Sequence, residues 1–146
     1  MIRTDKRVRL CVCLLVCVLA FIWGNSLLPV DTSQAFSDWV KEMLLHIMPG
    51  DDLQTTQGSG LLRKIAHFTE FTALGLVLCW LFGMLKKRFC VPVLWGIAAA
   101  CVDETIQFFV PGRGPGLRDV FIDSCGVLTG VILLTVGHYY FKKKST

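Results

Sequence analysis

Four long apolar runs, separated by shorter polar stretches, occupy about residues 8–28, 65–85, 89–110 and 119–141. A bilayer span needs about 20 mostly apolar residues, and each run has that length. The pattern predicts an all-α polytopic membrane protein with four transmembrane helices, forming one domain over residues 1–146. Arg3, Lys6, Arg7 and Arg9 precede the first run as they would in a secretory signal. No small-x-small cleavage site follows, and the run closes on Trp23-Gly24-Asn25-Ser26-Leu27-Leu28-Pro29, so an uncleaved anchor is expected.

Between the first two runs lies the one long loop, about residues 30–64. Phe36, Trp39, Val40, Met43, Leu44 and Ile47 recur in it at offsets of three and four, the spacing of an amphipathic helix. Asp31, Thr32 or Ser33 supplies an N-cap and Pro49-Gly50 a stop. Such a helix either lies in the membrane interface or caps the mouth of the bundle. Residues 51–60 are polar and glycine-containing, and a flexible linker is expected there.

Composition narrows the class. Hydrophobic residues make up 53% of the chain and charged residues 18%, against about 25% charged in soluble domains, and the mean hydropathy is +0.58. These values argue against a soluble enzyme, a disordered tail or a nucleic-acid partner, despite a net charge of +4. The bases are not evenly spread. Arg3, Lys6, Arg7, Arg9, Lys86, Lys87, Arg88, Lys142, Lys143 and Lys144 fall on one side of the predicted membrane, and Lys41, Arg63, Lys64, Arg113 and Arg118 on the other. Positive charge accumulates on cytoplasmic loops, so both termini are expected inside a cell membrane. The seven cysteines at 11, 13, 17, 79, 90, 101 and 125 form an odd set without a C-x-x-C pair, and are expected to pack as small hydrophobes.

The candidate chemistry lies in the polar groups inside the spans, because an ionisable side chain at mid-membrane costs about 2.5–3.5 kcal/mol on insertion scales. Lys64, His67 and Glu70 share one face of the second span; Asp103 and Gln107, with Glu104 beside them, stand near the end of the third; Asp119 and Asp123 open the fourth. With the topology above, all three groups fall in the outer leaflet. At 1.5 Å per residue, Glu70, Asp103 and Asp123 sit about 6–10 Å below the span ends. The expected product is an outward-opening polar pocket, with Arg113 and Arg118 in the adjoining turn and Gly126 and Gly130 allowing close helix approach.

Four readings of that pocket stay open. It is a self-neutralising network that locks the helices, with Asp119 capping the fourth one. It binds an anionic headgroup through Lys64, Arg113, Arg118 and the free N–H groups of the fourth helix, while Glu70, Asp103, Glu104, Gln107 and Asp123 shape it and hold the arginine. His67 with Glu70, Asp103 or Asp123 holds a metal or acts as an acid/base pair for hydrolysis. Or it relays protons or ions. H-E-x-x-H, G-x-S-x-G and Walker patterns are absent, and neither a metal nor a cofactor is assigned.

At these positions the sequence resembles the VanZ-like membrane proteins. The segments Lys64-Ile65-Ala66-His67-Phe68-Thr69-Glu70-Phe71, Asp103-Glu104-Thr105-Ile106-Gln107-Phe108-Phe109-Val110-Pro111-Gly112-Arg113 and Asp119-Val120-Phe121-Ile122-Asp123-Ser124-Cys125-Gly126 carry the resemblance, together with Asn25-Ser26-Leu27. It implies a small bacterial multi-pass protein whose family namesake is associated with lowered susceptibility to teicoplanin and related lipoglycopeptides. The expected partners are then membrane lipids and a lipid-linked cell-wall precursor or a glycopeptide antibiotic. The leading expectation is a non-enzymatic envelope factor; the rival is a membrane hydrolase or transferase using His67, Glu70, Asp103 and Asp123.

Overall fold

The computed structural model describes residues 2–29, 39, 56–113 and 116–144. Among these residues are turns and four helices: α1 (Ile2–Ser26), α2 (Thr56–Met84), α3 (Cys90–Phe108) and α4 (Leu117–Lys144). All four are long and apolar enough to cross a membrane, over Lys6–Ser26, Leu62–Met84, Cys90–Phe108 and Leu117–Tyr140. The amphipathic helix expected over residues 36–47 lies, except for Trp39, outside the described residues. Residues 56–60, expected as linker, instead form the first turn and more of α2. Gly58 and Gly60 are poor helix formers, but extending an existing helix gains one hydrogen bond for each residue fixed.

Many large apolar side chains point outward along the spans, among them Leu10, Val16, Phe21, Leu94, Trp95, Ile132 and Leu133. Contiguous apolar surface on this scale belongs against hydrocarbon rather than water. The hydroxyls within the helices follow the same logic. Thr72, Thr105, Ser124, Thr129 and Thr135 each donate to the carbonyl four residues earlier, at 2.7–2.8 Å, so none needs a water that the bilayer lacks.

Lipid tails are as apolar as leucine, and helix association in a membrane therefore depends on close packing and polar contacts. The tightest approach is between α2 and α4. A Cβ added at Gly126 would stand 2.6 Å from the Phe68 carbonyl oxygen, and one at Gly130 would meet the Thr72 carbonyl. In return, Gly75 of α2 faces the Val127 carbonyl, and Gly96 of α3 receives the Val127 side chain. The small residues of α4 thus seat it mainly on α2, while Val127 also joins it to α3. Around this contact a buried cluster gathers Ile22, Phe71, Leu74, Leu78, Ala99, Ala100, Val127 and Val131 from all four helices.

The turns fix the helix ends. After α2, the Lys87 N–H bonds the Phe82 carbonyl at 2.9 Å and the Lys86 N–H the Gly83 carbonyl at 3.1 Å, with Lys86 in the left-handed region at φ 52°. This is a Schellman stop with lysine in the place that glycine usually takes. Pro111 cannot extend α3, and Gly112 at φ 80° turns the chain toward α4. The ends of α1 and α3 and the beginnings of α2 and α4 consequently meet at one end of the bundle, where cross-helix bonds join Asn25 to Glu70 and Ser26 to Gln107.

Candidate functional site

The polar residues of α2, α3 and α4 converge at that shared end. His67 Nδ1 stands 3.8 Å from Asp103 Oδ2 and 3.8 Å from Asp123 Oδ1. Both aspartates are 0% exposed. The i,i+3 stripe of α2 supplies the histidine, and the two aspartates come from α3 and α4, brought together by the small-residue contacts just below them.

Gln107, one turn beyond Asp103, organises the cluster. Its Nε2 donates to Asp103 Oδ2 at 2.7 Å and to Ser26 Oγ at 3.3 Å, while its Oε1 accepts from Arg63 Nη2 at 3.1 Å. One amide therefore ties α1, α2 and α3 together. Above it a cavity of about 160 Å³ is lined by Arg63, Lys64, His67, Gln107, Asp119, Ile122 and Asp123, ample for several waters. Arg63 and Lys64 form its basic side, and Asp119 and Asp123 its acidic side.

Two residues expected around this pocket, Glu70 and Glu104, point elsewhere. Glu70 turns toward α1, where its Oε1 accepts from Asn25 Nδ2 at 3.0 Å, and it borders a mostly apolar groove with Cys17, Val18, Phe21, Ile22, Thr69 and Ala73. Glu104 Oε2 accepts from the Gly116 N–H at 2.9 Å. An amide beside the start of α4, expected to be open to a phosphate or carboxylate ligand, is thus already taken by a carboxylate of the same chain. Asp119 sits in the first turn of α4 and favours the positive end of the helix dipole, with Gly116 rather than Asp119 preceding the helix.

Arg113 also departs from its expected role. Its Nε donates to the Leu28 carbonyl at 3.2 Å and its Nη2 to the Asn25 carbonyl at 3.0 Å, so it clamps the α3–α4 turn onto the end of α1. No carboxylate stands within ion-pairing distance of it among the described residues; backbone carbonyls, not the acids, hold it. Burial lowers its pKa from the ordinary guanidinium value and Arg63 adds to that, while Asp103, Glu104 and Glu70 act in the opposite direction. Such a group stays charged.

Sequence reasoning did not place Arg63, Ser26 or Ile122 in the site. Arg63 is four residues before His67 and so shares its helical face, a signal that was present. Ser26 and Ile122 stood only within the segments that carry the family resemblance, and spacing gave no signal for them, because their roles depend on how α1 and α4 are rotated. All seven cysteines are free, only Cys11 being fully buried, and its thiol lies 3.7 Å from the Val77 carbonyl.

The fold and site together define a small integral membrane protein with four spans and a buried His/Asp/Gln cluster at one end of the bundle. The sequence model of the family described as VanZ/LLP1 matches residues 11–138, and the chain belongs to that family. No curated protein and no solved structure was found to match it.

Proposed function

We propose that this VanZ-family protein is a cell-envelope factor of the bacterial membrane, with both termini cytoplasmic, that engages a lipid-like anionic ligand in the polar pocket from the outer leaflet. The observation that carries this reading is the lining of the cavity. Arg63 and Lys64 stand at the beginning of the membrane span of α2 beside a buried polar floor, so a phosphate-bearing headgroup meets two cations while its tail stays among lipids. Lys64 is exposed, and Arg63 keeps donors beyond the one that reaches Gln107. Arg113 positions the turn rather than contacting the ligand. By engaging a lipid-linked cell-wall precursor or the antibiotic itself, the protein lowers susceptibility to glycopeptides and lipoglycopeptides.

The test replaces Arg63→Ala and Lys64→Ala together in cells that depend on the protein for glycopeptide tolerance. The pair should accumulate in the membrane as the parent does and show the susceptibility of cells lacking the protein. Parental tolerance at parental abundance would refute the reading. A second reading, a membrane hydrolase or transferase, is favoured by His67 facing two carboxylates; turnover of a lipid pyrophosphate by the purified protein, lost in His67→Gln, would establish it instead.

A further inference from the structure

We infer that His67, Asp103 and Asp123 form a binding site for one divalent transition-metal ion. One atom from each residue, Nδ1 of the histidine and one oxygen of each carboxylate, lies within 4.8 Å of the others. At 3.8 Å the histidine nitrogen is too far from either aspartate for a hydrogen bond. Metal–ligand bonds of about 2.0–2.2 Å hold such atoms about 3–4.4 Å apart, so the two histidine–carboxylate separations of 3.8 Å already fall in that range and the third, within 4.8 Å, needs little closing.

The second observation is what these three residues lack. His67 Nδ1, Asp103 Oδ1 and both oxygens of Asp123 are buried without a hydrogen-bond partner. Asp123 is 0% exposed and borders the cavity. Neither nearby arginine bonds to these carboxylates: Arg63 reaches Gln107, and Arg113 reaches the Asn25 and Leu28 carbonyls. Buried carboxylates are paired or coordinate metals, and among the described residues no lysine or arginine pairs with these two; only His67, 3.8 Å from each, faces them. Gln107 bonded to Asp103 Oδ2 at 2.7 Å is the kind of outer partner that orients a ligating carboxylate.

Imidazole with carboxylates and no thiolate suits Mn²⁺, Fe²⁺ or Zn²⁺ better than a purely soft ion. The cavity over His67 and Asp123 leaves the remaining positions open to water or to an anionic ligand. The site rests on the cluster alone and not on the headgroup reading.

The experiment uses the full chain in detergent, carrying His46→Gln and His138→Gln so that His67 is the sole remaining histidine of the three. Mn²⁺ is the probe, because the free cysteines compete poorly for it. After chelator treatment, titration followed by the free-ion EPR signal should show uptake of about one ion per chain, and pulsed EPR of the bound ion should show coupling to one imidazole nitrogen. Asp123→Asn should weaken uptake at least about tenfold, and Ser124→Ala should not change it. No uptake by the folded parent, or uptake without nitrogen coupling, overturns the site. If Asp123→Asn fails to fold, the nitrogen coupling in the parent decides. No lipid or phosphate is present, so failure here leaves the headgroup reading standing, and failure of headgroup binding leaves the metal site standing.

Discussion

Replacing Gln107 with leucine tests the site as a piece of structure. The substitution keeps a side chain of similar size but removes a donor and an acceptor from three contacts, at 2.7 Å to Asp103, 3.1 Å to Arg63 and 3.3 Å to Ser26. Side-chain hydrogen bonds between membrane helices average about 0.6 kcal/mol, with a maximum of about 1.7. Two of the partners are ionisable, and bonds to charged groups contribute about 1.5–3 kcal/mol. Asp103, 0% exposed and already lacking a partner for Oδ1, would lose the partner of its other oxygen as well. Gln107→Leu should therefore destabilise the protein by about 2–4 kcal/mol, read from reversible unfolding in mixed micelles followed by helicity. Phe108→Leu, on the exposed neighbouring position, should stay within about 0.5 kcal/mol of the parent. A Gln107→Leu variant as stable as Phe108→Leu would mean that the amide does not join the three helices.

Other expectations follow from the same geometry. Gly130→Ala should destabilise by about 1–3 kcal/mol through overpacking against the Thr72 carbonyl, whereas Gly137→Ala, with open space around it, should not; unfolding in the same micelles compares them. Glu70→Gln retains an acceptor for Asn25 and should leave stability nearly unchanged, while Glu70→Leu leaves a half-buried amide without its partner and should cost about 0.5–1.5 kcal/mol; equal losses would contradict the bond. Lys86→Gly relieves a left-handed backbone at φ 52° and should raise stability by about 1 kcal/mol, unless thermal unfolding shows a loss.

The sequence made the spans and the polar stripes legible for different reasons. Hydrophobic length identifies a membrane helix almost unaided, because the bilayer imposes one thickness on every span. The spacing of Lys64, His67 and Glu70, and of Asp103 and Gln107, showed which residues share a face, and His67, Asp103 and Asp123 do come together. Spacing could not show how each helix is rotated about its axis. Glu70 therefore meets α1, Glu104 meets Gly116 and Arg113 meets carbonyls rather than acids. The Gly126/Gly130 pair was recognisable as a packing surface, yet its partner, the α2 backbone at Phe68 and Thr72, depends on which helices are neighbours.

Binding of a lipid pyrophosphate to the purified full chain, measured by native mass spectrometry against a zwitterionic lipid of matched tails, tests the functional reading most directly. Saturable binding of the pyrophosphate, in preference to the zwitterion and abolished in Arg63→Ala with Lys64→Ala, is the predicted result. Equal retention of both lipids, or pyrophosphate binding unchanged in that variant, would contradict it.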